Sequence, residues 1–165
     1  MRTTKEDTDM NHEAFLQRAI DLAVESVKDG TGGPFGCVIV KDGKIIAEGK
    51  NNVTTSNDPT AHAEVTAIRL ACEALGDYQL SDCILYTSCE PCPMCLGAIY
   101  WARPKEVYFA AKHSDAASAG FDDSFIYEEF TRDQSERNIP FYNIELRDKL
   151  EPFLTWEHTD DKTEY

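Results

Sequence analysis

The sequence has little positive charge and no long hydrophobic segment. It contains 16 lysines and arginines against 30 aspartates and glutamates, and the formal net charge is −14. Such a chain repels phosphate backbones at long range, which argues against a nucleic-acid partner without excluding a local basic groove. The longest apolar run, residues 35–40, is far too short to cross a bilayer. Because the N-terminus is polar and lacks a signal-like apolar stretch, we expect a soluble, cytoplasmic protein with no membrane partner.

Disulfides are not expected, although the chain has six cysteines. In a reducing compartment, clustered cysteines indicate metal binding or catalysis. Cys37, Cys72 and Cys83 lie in apolar segments and are most simply core residues. The length of 165 residues and the apolar fraction of 42% are typical of one globular domain. We therefore predict a mobile leader over residues 1–10 and a single domain over residues 11–165.

The order of hydrophobic patterns predicts an α/β fold with a mixed, five-stranded sheet covered by helices on both faces. Asp42-Gly43 is a hairpin turn signal, and Asp58-Pro59 is a typical helix start. The strand–helix–strand order after residue 83 favours a parallel pair. The predicted helices cover residues 11–28, 58–75, 92–102 and 124–136, and the predicted strands cover residues 35–40, 45–49, 83–87, 106–111 and 141–146.

Two short motifs carry metal chemistry. Cys92 and Cys95 lie three residues apart near a helix start, so both sulfurs point to one side, where the helix dipole favours thiolates. His62 adds a third ligand of the kind that zinc prefers, and three protein ligands leave one tetrahedral position for water. Glu64 is poorly spaced to be a fourth ligand but can lie beside that water and move its protons. The pattern predicts one catalytic zinc ion per chain.

A closed structural site is the alternative. Cys89 precedes the cysteine pair and could join His62, Cys92 and Cys95 as a fourth ligand. Such a site would have no open position, and it would leave Glu64 without a role. The catalytic interpretation therefore predicts that the Cys89 sulfur stays off the metal.

The two motifs together resemble the cytidine and deoxycytidylate deaminase superfamily. Zinc deaminases that act on bases share a His-x-Glu motif followed by a Pro-Cys-x-x-Cys motif. The first motif lies here in the segment Asp58-Pro59-Thr60-Ala61-His62-Ala63-Glu64, and the second in the segment Glu90-Pro91-Cys92-Pro93-Met94-Cys95. Within the superfamily, residues 11–165 are similar to small bacterial guanine deaminases. The resemblance implies a three-layer α-β-α sandwich, conversion of guanine and water to xanthine and ammonia, a small purine base as the molecule bound, and a homodimer.

The resemblance also implies further site residues. Asn51 would hydrogen-bond the base edge, and the backbone N–H of Ala63 would donate to the base. Phe35 and Trp101 would wall the pocket, with plain core packing as the equal alternative. Asp123 would be a second proton carrier, or otherwise a loop acid or helix cap. The tail, residues 156–165, would be exchanged between subunits, with Tyr165 closing the partner's pocket, although by composition it reads as a frayed end.

Enzymes that act on other substrates share the metal motif. A tRNA adenosine deaminase also carries Asp-Pro-Thr-Ala-His-Ala-Glu, but it needs basic contacts to RNA, which the net charge of −14 disfavours. Deamination of cytosine or guanosine stays open, because the metal motif does not select the substrate. A non-catalytic zinc protein is the alternative from a different class.

Overall fold

A four-stranded mixed sheet forms the centre of the fold. The computed structural model describes residues 5–165, with side chains from His12 onward. The strands are β1 (Gly36–Lys41), β2 (Lys44–Lys50), β3 (Cys83–Cys89) and β4 (Glu106–Ala111), in the spatial order β2-β1-β3-β4. β1 runs antiparallel to both of its neighbours, and β3 and β4 are parallel. The predicted hairpin and the predicted parallel pair are both present.

Helices cover both faces of this sheet, which confirms the three-layer architecture. The helices up to Asp123 are α1 (Lys5–Lys28), α2 (Val53–Ser56), α3 (Ala63–Leu75), α4 (Pro93–Ala102) and α5 (His113–Ser118). β1 is buried on both sides because its side chains alternate between the layers. Val38 and Val40 pack in a cluster with Leu22 of α1. Cys37 and Ile39 pack in a second cluster with the buried alanines of α3.

Two glycines let the helices approach the sheet closely. A Cβ atom on Gly36 would collide with the backbone carbonyl of Ala19 in α1. A Cβ atom on Gly49 would collide with the carbonyl of Ala63, the first residue of α3. The two glycines therefore set how closely one helix packs against each face of the sheet. Gly49 does so at the N-terminal end of α3, next to His62.

Helix boundaries differ from the sequence prediction at three places, one of which is the helix predicted over residues 124–136, which ends at Thr131. α1 begins at Lys5 rather than at residue 11, because residues 5–10 contain neither glycine nor proline; residues 1–4 of the predicted leader lie outside the described part. α3 begins at Ala63 rather than at Asp58. The Asp58 carboxylate accepts hydrogen bonds from the backbone N–H of Thr60 at 2.8 Å and from its hydroxyl at 2.6 Å. Asp58 therefore closes a tight turn before the helix and does not cap it.

The chain divides into a unit that ends at Asp123 and a second unit, Ser124–Tyr165. The second unit contains α6 (Ser124–Thr131), a short 3₁₀ helix (Gln134–Glu136) and α7 (Glu151–Glu157). None of its residues is buried. The fifth strand predicted over residues 141–146 is wrong: this segment has no strand assignment, and the described sheet has four strands. Alternating hydrophobicity gives a local tendency only, and a strand also needs a hydrogen-bonded neighbour.

No helix in the described part of the chain combines the length and the apolar character needed to span a membrane.

Candidate active site

The starts of two helices bring the predicted metal ligands together. His62 is the residue that precedes the first turn of α3, and Cys92 holds the same position at α4. Cys95 lies in the first turn of α4, and its backbone N–H donates to the Cys92 sulfur over 3.5 Å. Pro93 at the first position of α4 needs no N–H partner, so it favours the helix start. Both helix N-termini therefore direct their positive dipole ends to one place, which favours thiolates there.

The three ligand atoms form a compact cluster. His62 Nδ1 lies 3.4 Å from Cys92 Sγ and 3.5 Å from Cys95 Sγ. All three atoms lie within 4.8 Å of one another, although the sequence separates His62 from the cysteines by 30 and 33 residues. One imidazole nitrogen and two sulfurs at this separation are a donor set suited to zinc. The residues present therefore fit a zinc ion, with the Nδ1 atom of His62 as the nitrogen that faces it.

The charges in the cluster favour a cation. Hydrogen bonds from Cys95 and His62 lower the pKa of the Cys92 thiol well below its usual value. The hydrogen bond between the two cysteines, together with burial, raises the pKa of Cys95. The hydrogen bond between His62 and Cys92 raises the pKa of His62. Two adjacent thiolates repel each other and need a positive charge between them, which a divalent ion supplies.

Cys89 does not join the cluster. Its sulfur lies 3.8 Å from the carbonyl oxygen of Lys112, and burial raises the pKa of its thiol to about 11. The ligand group found among the described side chains contains His62, Cys92 and Cys95 without Cys89. The geometry thus favours the open, three-ligand arrangement over the closed structural site.

Glu64 lies against the cluster and is buried. The Thr87 hydroxyl donates to Glu64 Oε1 at 3.0 Å, and the Cys95 thiol donates to Oε2 at 3.4 Å. Glu64 is 5% exposed, and burial raises the pKa of its carboxyl group. A carboxylate with a raised proton affinity, held beside the metal ligands, is suited to taking up a proton and giving it back.

A cavity of about 340 Å³ opens in front of these residues. This size is in the lower range of small-molecule sites, which suits a single heterocyclic base. Its lining includes six of the residues predicted from the sequence: Phe35, Asn51, His62, Glu64, Cys92 and Asp123.

Asn51 offers a hydrogen-bond donor to this cavity. Its side-chain oxygen accepts the backbone N–H groups of Gly33 and Val53, both at 3.3 Å. Because Oδ1 is committed to these two donors, the NH₂ group is what Asn51 can present to a bound molecule. Acceptors on a purine, such as a ring nitrogen or a carbonyl oxygen, match such a group.

Among the predicted residues of the first unit, Cys95, Ala63 and Trp101 do not contribute a side chain to this cavity. Ala63 is fully buried at the first position of α3, where its backbone N–H has no partner within the helix. Trp101 is 63% exposed on α4 and is not part of the lining. Tyr165 belongs to the second unit and is 73% exposed.

Several residues at the site were not among the site residues predicted from the sequence. His113 and Glu90 line the cavity, and Phe121 packs edge-on against Phe35 with ring centres 5.1 Å apart. Thr87 contacts Glu64 from β3. Glu90 stands two residues before Cys92 and could have been found from the motif. His113 follows β4, and no local pattern marks it.

Comparison with known proteins agrees with this geometry. The sequence model described as the cytidine and deoxycytidylate deaminase zinc-binding region matches residues 9–111. A guanine deaminase from Bacillus subtilis is 70% identical over 156 residues, which cover 94% of this chain and all of that protein. A crystal structure of guanine deaminase from Bacillus subtilis superimposes with a TM-score of 0.92 at 70% identity, over 93% of this chain and 98% of the other.

The similarity to RNA-directed enzymes is lower and shorter. A tRNA-specific adenosine deaminase from Agrobacterium fabrum is 48% identical over 98 residues, which cover 59% of this chain and 64% of that protein.

Proposed function

Because the chain belongs to the cytidine and deoxycytidylate deaminase family, we propose that it converts guanine and water to xanthine and ammonia with one zinc ion per chain. The observation that carries this proposal is the cluster of His62, Cys92 and Cys95 with the Glu64 carboxylate against it. The relative that matches 94% of the chain at 70% identity is a guanine deaminase, which supports guanine as the base.

The residues divide the chemistry as follows. His62, Cys92 and Cys95 would hold the zinc ion, which when bound acts as a Lewis acid and makes water nucleophilic near neutral pH. Glu64 takes a proton from that water and delivers it to the ring nitrogen beside the carbon that carries the amine. The hydroxyl gained by that carbon loses its proton as it becomes a carbonyl, and the amine needs a proton to leave as ammonia. Asp123, which lines the same cavity, is our candidate for the carrier between them.

Other residues orient the base. The Asn51 NH₂ group donates to an acceptor on the base edge, and Phe35 supplies an aromatic wall that the Phe121 ring supports from its edge. The backbone N–H of Ala63 is a second donor at the start of α3. Each of these contacts positions the carbon under attack and leaves the proton transfers to Glu64 and Asp123.

Substrate choice is tested by measuring ammonia release from guanine, guanosine, adenine, cytosine and a tRNA. We expect guanine to be turned over and the tRNA neither to react nor to bind measurably at physiological salt, because a protein with a net charge of −14 gains little from contact with phosphates. Conversion of adenosine to inosine that depends on tRNA would instead support a tRNA adenosine deaminase. Rapid turnover of guanosine or cytosine would refute guanine as the base.

We also propose that the protein works as a homodimer in which the C-terminal segment is exchanged. The support is the exposure of large apolar side chains in the second unit, where Ile139, Tyr142 and Ile144 are each about three-quarters exposed. Clusters of exposed apolar residues mark surfaces that a partner covers. In this arrangement Tyr165 covers the base in the partner's pocket, and the metal ligands all come from one chain.

Deletion of residues 162–165 tests the role of the tail. We expect zinc content and dimer mass to stay at the wild-type values, while kcat/KM for guanine falls by about tenfold or more, because water enters a pocket that has lost its cover. The point variant Tyr165→Phe is the matched control for the ring, and it should retain most of the activity. Unchanged kinetics after deletion would show that the tail is only a frayed end.

A further inference from the structure

His113 lies between two carboxylates in the wall of the cavity. Its Nε2 atom is 3.6 Å from Glu90 Oε1, and its Nδ1 atom is 3.5 Å from Asp123 Oδ2. The backbone N–H of His113 also donates to Glu90 Oε2 at 3.1 Å. All three side chains line the cavity. The imidazole thus contacts a different carboxylate with each of its two ring nitrogens.

This arrangement connects Asp123 to the loop that carries a metal ligand. Glu90 stands two residues before Cys92, and its backbone N–H donates to the carbonyl oxygen of Ala111 at 2.8 Å, which fixes that loop to the end of β4. His113 begins α5 directly after β4. Glu90 is therefore anchored to the end of β4 through its backbone, and His113 is anchored to Glu90 through the hydrogen bond from its own backbone N–H.

Asp123 has less support of its own. It follows a segment that turns at Gly120, where φ is +94°. Its carboxylate forms an ion pair with His113. A proton carrier must come within hydrogen-bond reach of the atom it serves, and a displacement of about 1 Å can cost about 100-fold in rate. A loop carboxylate therefore needs an anchor, and His113 is in place to supply it.

We propose that His113 is a positioning residue that holds the Asp123 carboxylate at the cavity wall, and that Glu90 in turn fixes the imidazole. The proposal rests on the proposed function, in which Asp123 delivers a proton to the leaving amine. His113 acts through Asp123, and it need not touch the base. Its removal should therefore slow the chemical step more than it weakens binding of guanine.

Two amide substitutions separate the two contacts of the imidazole. The amide nitrogen of asparagine stands near the position of Nδ1, whereas that of glutamine stands near Nε2. His113→Asn should keep the contact with Asp123, and we expect its kcat to stay within about threefold of wild type. His113→Gln should lose that contact and lower kcat by about 10- to 100-fold with little change in KM. His12→Gln, which removes an imidazole of α1 that stacks on Tyr108 and does not line the cavity, is the control and should leave kcat unchanged.

A double-mutant cycle with Asp123→Asn then tests whether His113 acts through Asp123. We expect the double variant His113→Gln with Asp123→Asn to be no slower than Asp123→Asn alone, because the two residues serve one step. Multiplicative losses would overturn the proposal, as would wild-type kcat in His113→Gln or loss of zinc from that variant. A zinc-loaded wild-type enzyme that releases no ammonia from guanine would instead refute the proposed function.

Discussion

Replacement of Glu64 by glutamine is expected to lower kcat for guanine by at least about 10³-fold, because in the proposed mechanism one residue acts as both the general base and the general acid. The amide has nearly the same shape, and its oxygen can still accept the hydrogen bond that Thr87 donates to Oε1. It cannot take a proton from water. The measurement is steady-state ammonia release by protein whose zinc content has been determined.

A matched variant on the same helix controls for the substitution itself. Glu73 is exposed in α3, and Glu73→Gln should be as active as wild type. Glu64→Gln should also unfold at nearly the wild-type temperature and contain one zinc ion per chain. Activity near wild type in zinc-loaded Glu64→Gln would refute the assignment of the proton carrier.

Loss of one metal ligand is expected to have an equally large effect. Cys95→Ala removes one of three donors that lie within 4.8 Å of one another. We expect purified Cys95→Ala to contain less than about one tenth of an equivalent of zinc and to show background turnover. Because a bound ion would join α3 to α4 through these ligands, its loss should also lower the melting temperature by about 5 °C or more.

Cys89→Ala is the matched control, and it tests the closed structural site directly. Cys89 is buried nearby but lies outside the ligand cluster, so the variant should keep its zinc and a large part of its activity. Zinc loss in Cys89→Ala equal to that in Cys95→Ala would instead support a four-ligand structural site.

Local sequence patterns correctly predicted most strands of the sheet but not the number of strands. The Asp42-Gly43 turn gives the hairpin because both residues adopt positive φ angles, which these residue types tolerate. Residues 141–146 alternate like a strand but form none, because strand pairing depends on a neighbour that the local sequence does not specify. Asp58 was interpreted as a helix cap, although its carboxylate forms a turn with Thr60.

Local sequence patterns have the same limit at the candidate active site. His62, Cys92 and Cys95 were predicted because their spacing relative to helix starts fixes where the ligand atoms point, and the structure brings them together. His113 was missed because its role depends on Glu90 and Asp123, which meet it only in the folded chain. The predicted place of Trp101 in the pocket wall stays a prediction, because its side chain lies exposed on α4 and is not part of the cavity lining.

The two glycines that lie against helices have a consequence for reading mutational data. In a scan of all single substitutions, Gly36 and Gly49 should be as intolerant as the metal ligands, although neither is within the cluster that would hold the ion. A methyl group at Gly49 would meet the carbonyl of Ala63, and the displaced helix would carry His62 away from the two sulfurs. Intolerance at these positions would therefore report the spacing between the layers, and a map of essential residues would overstate the size of the catalytic centre.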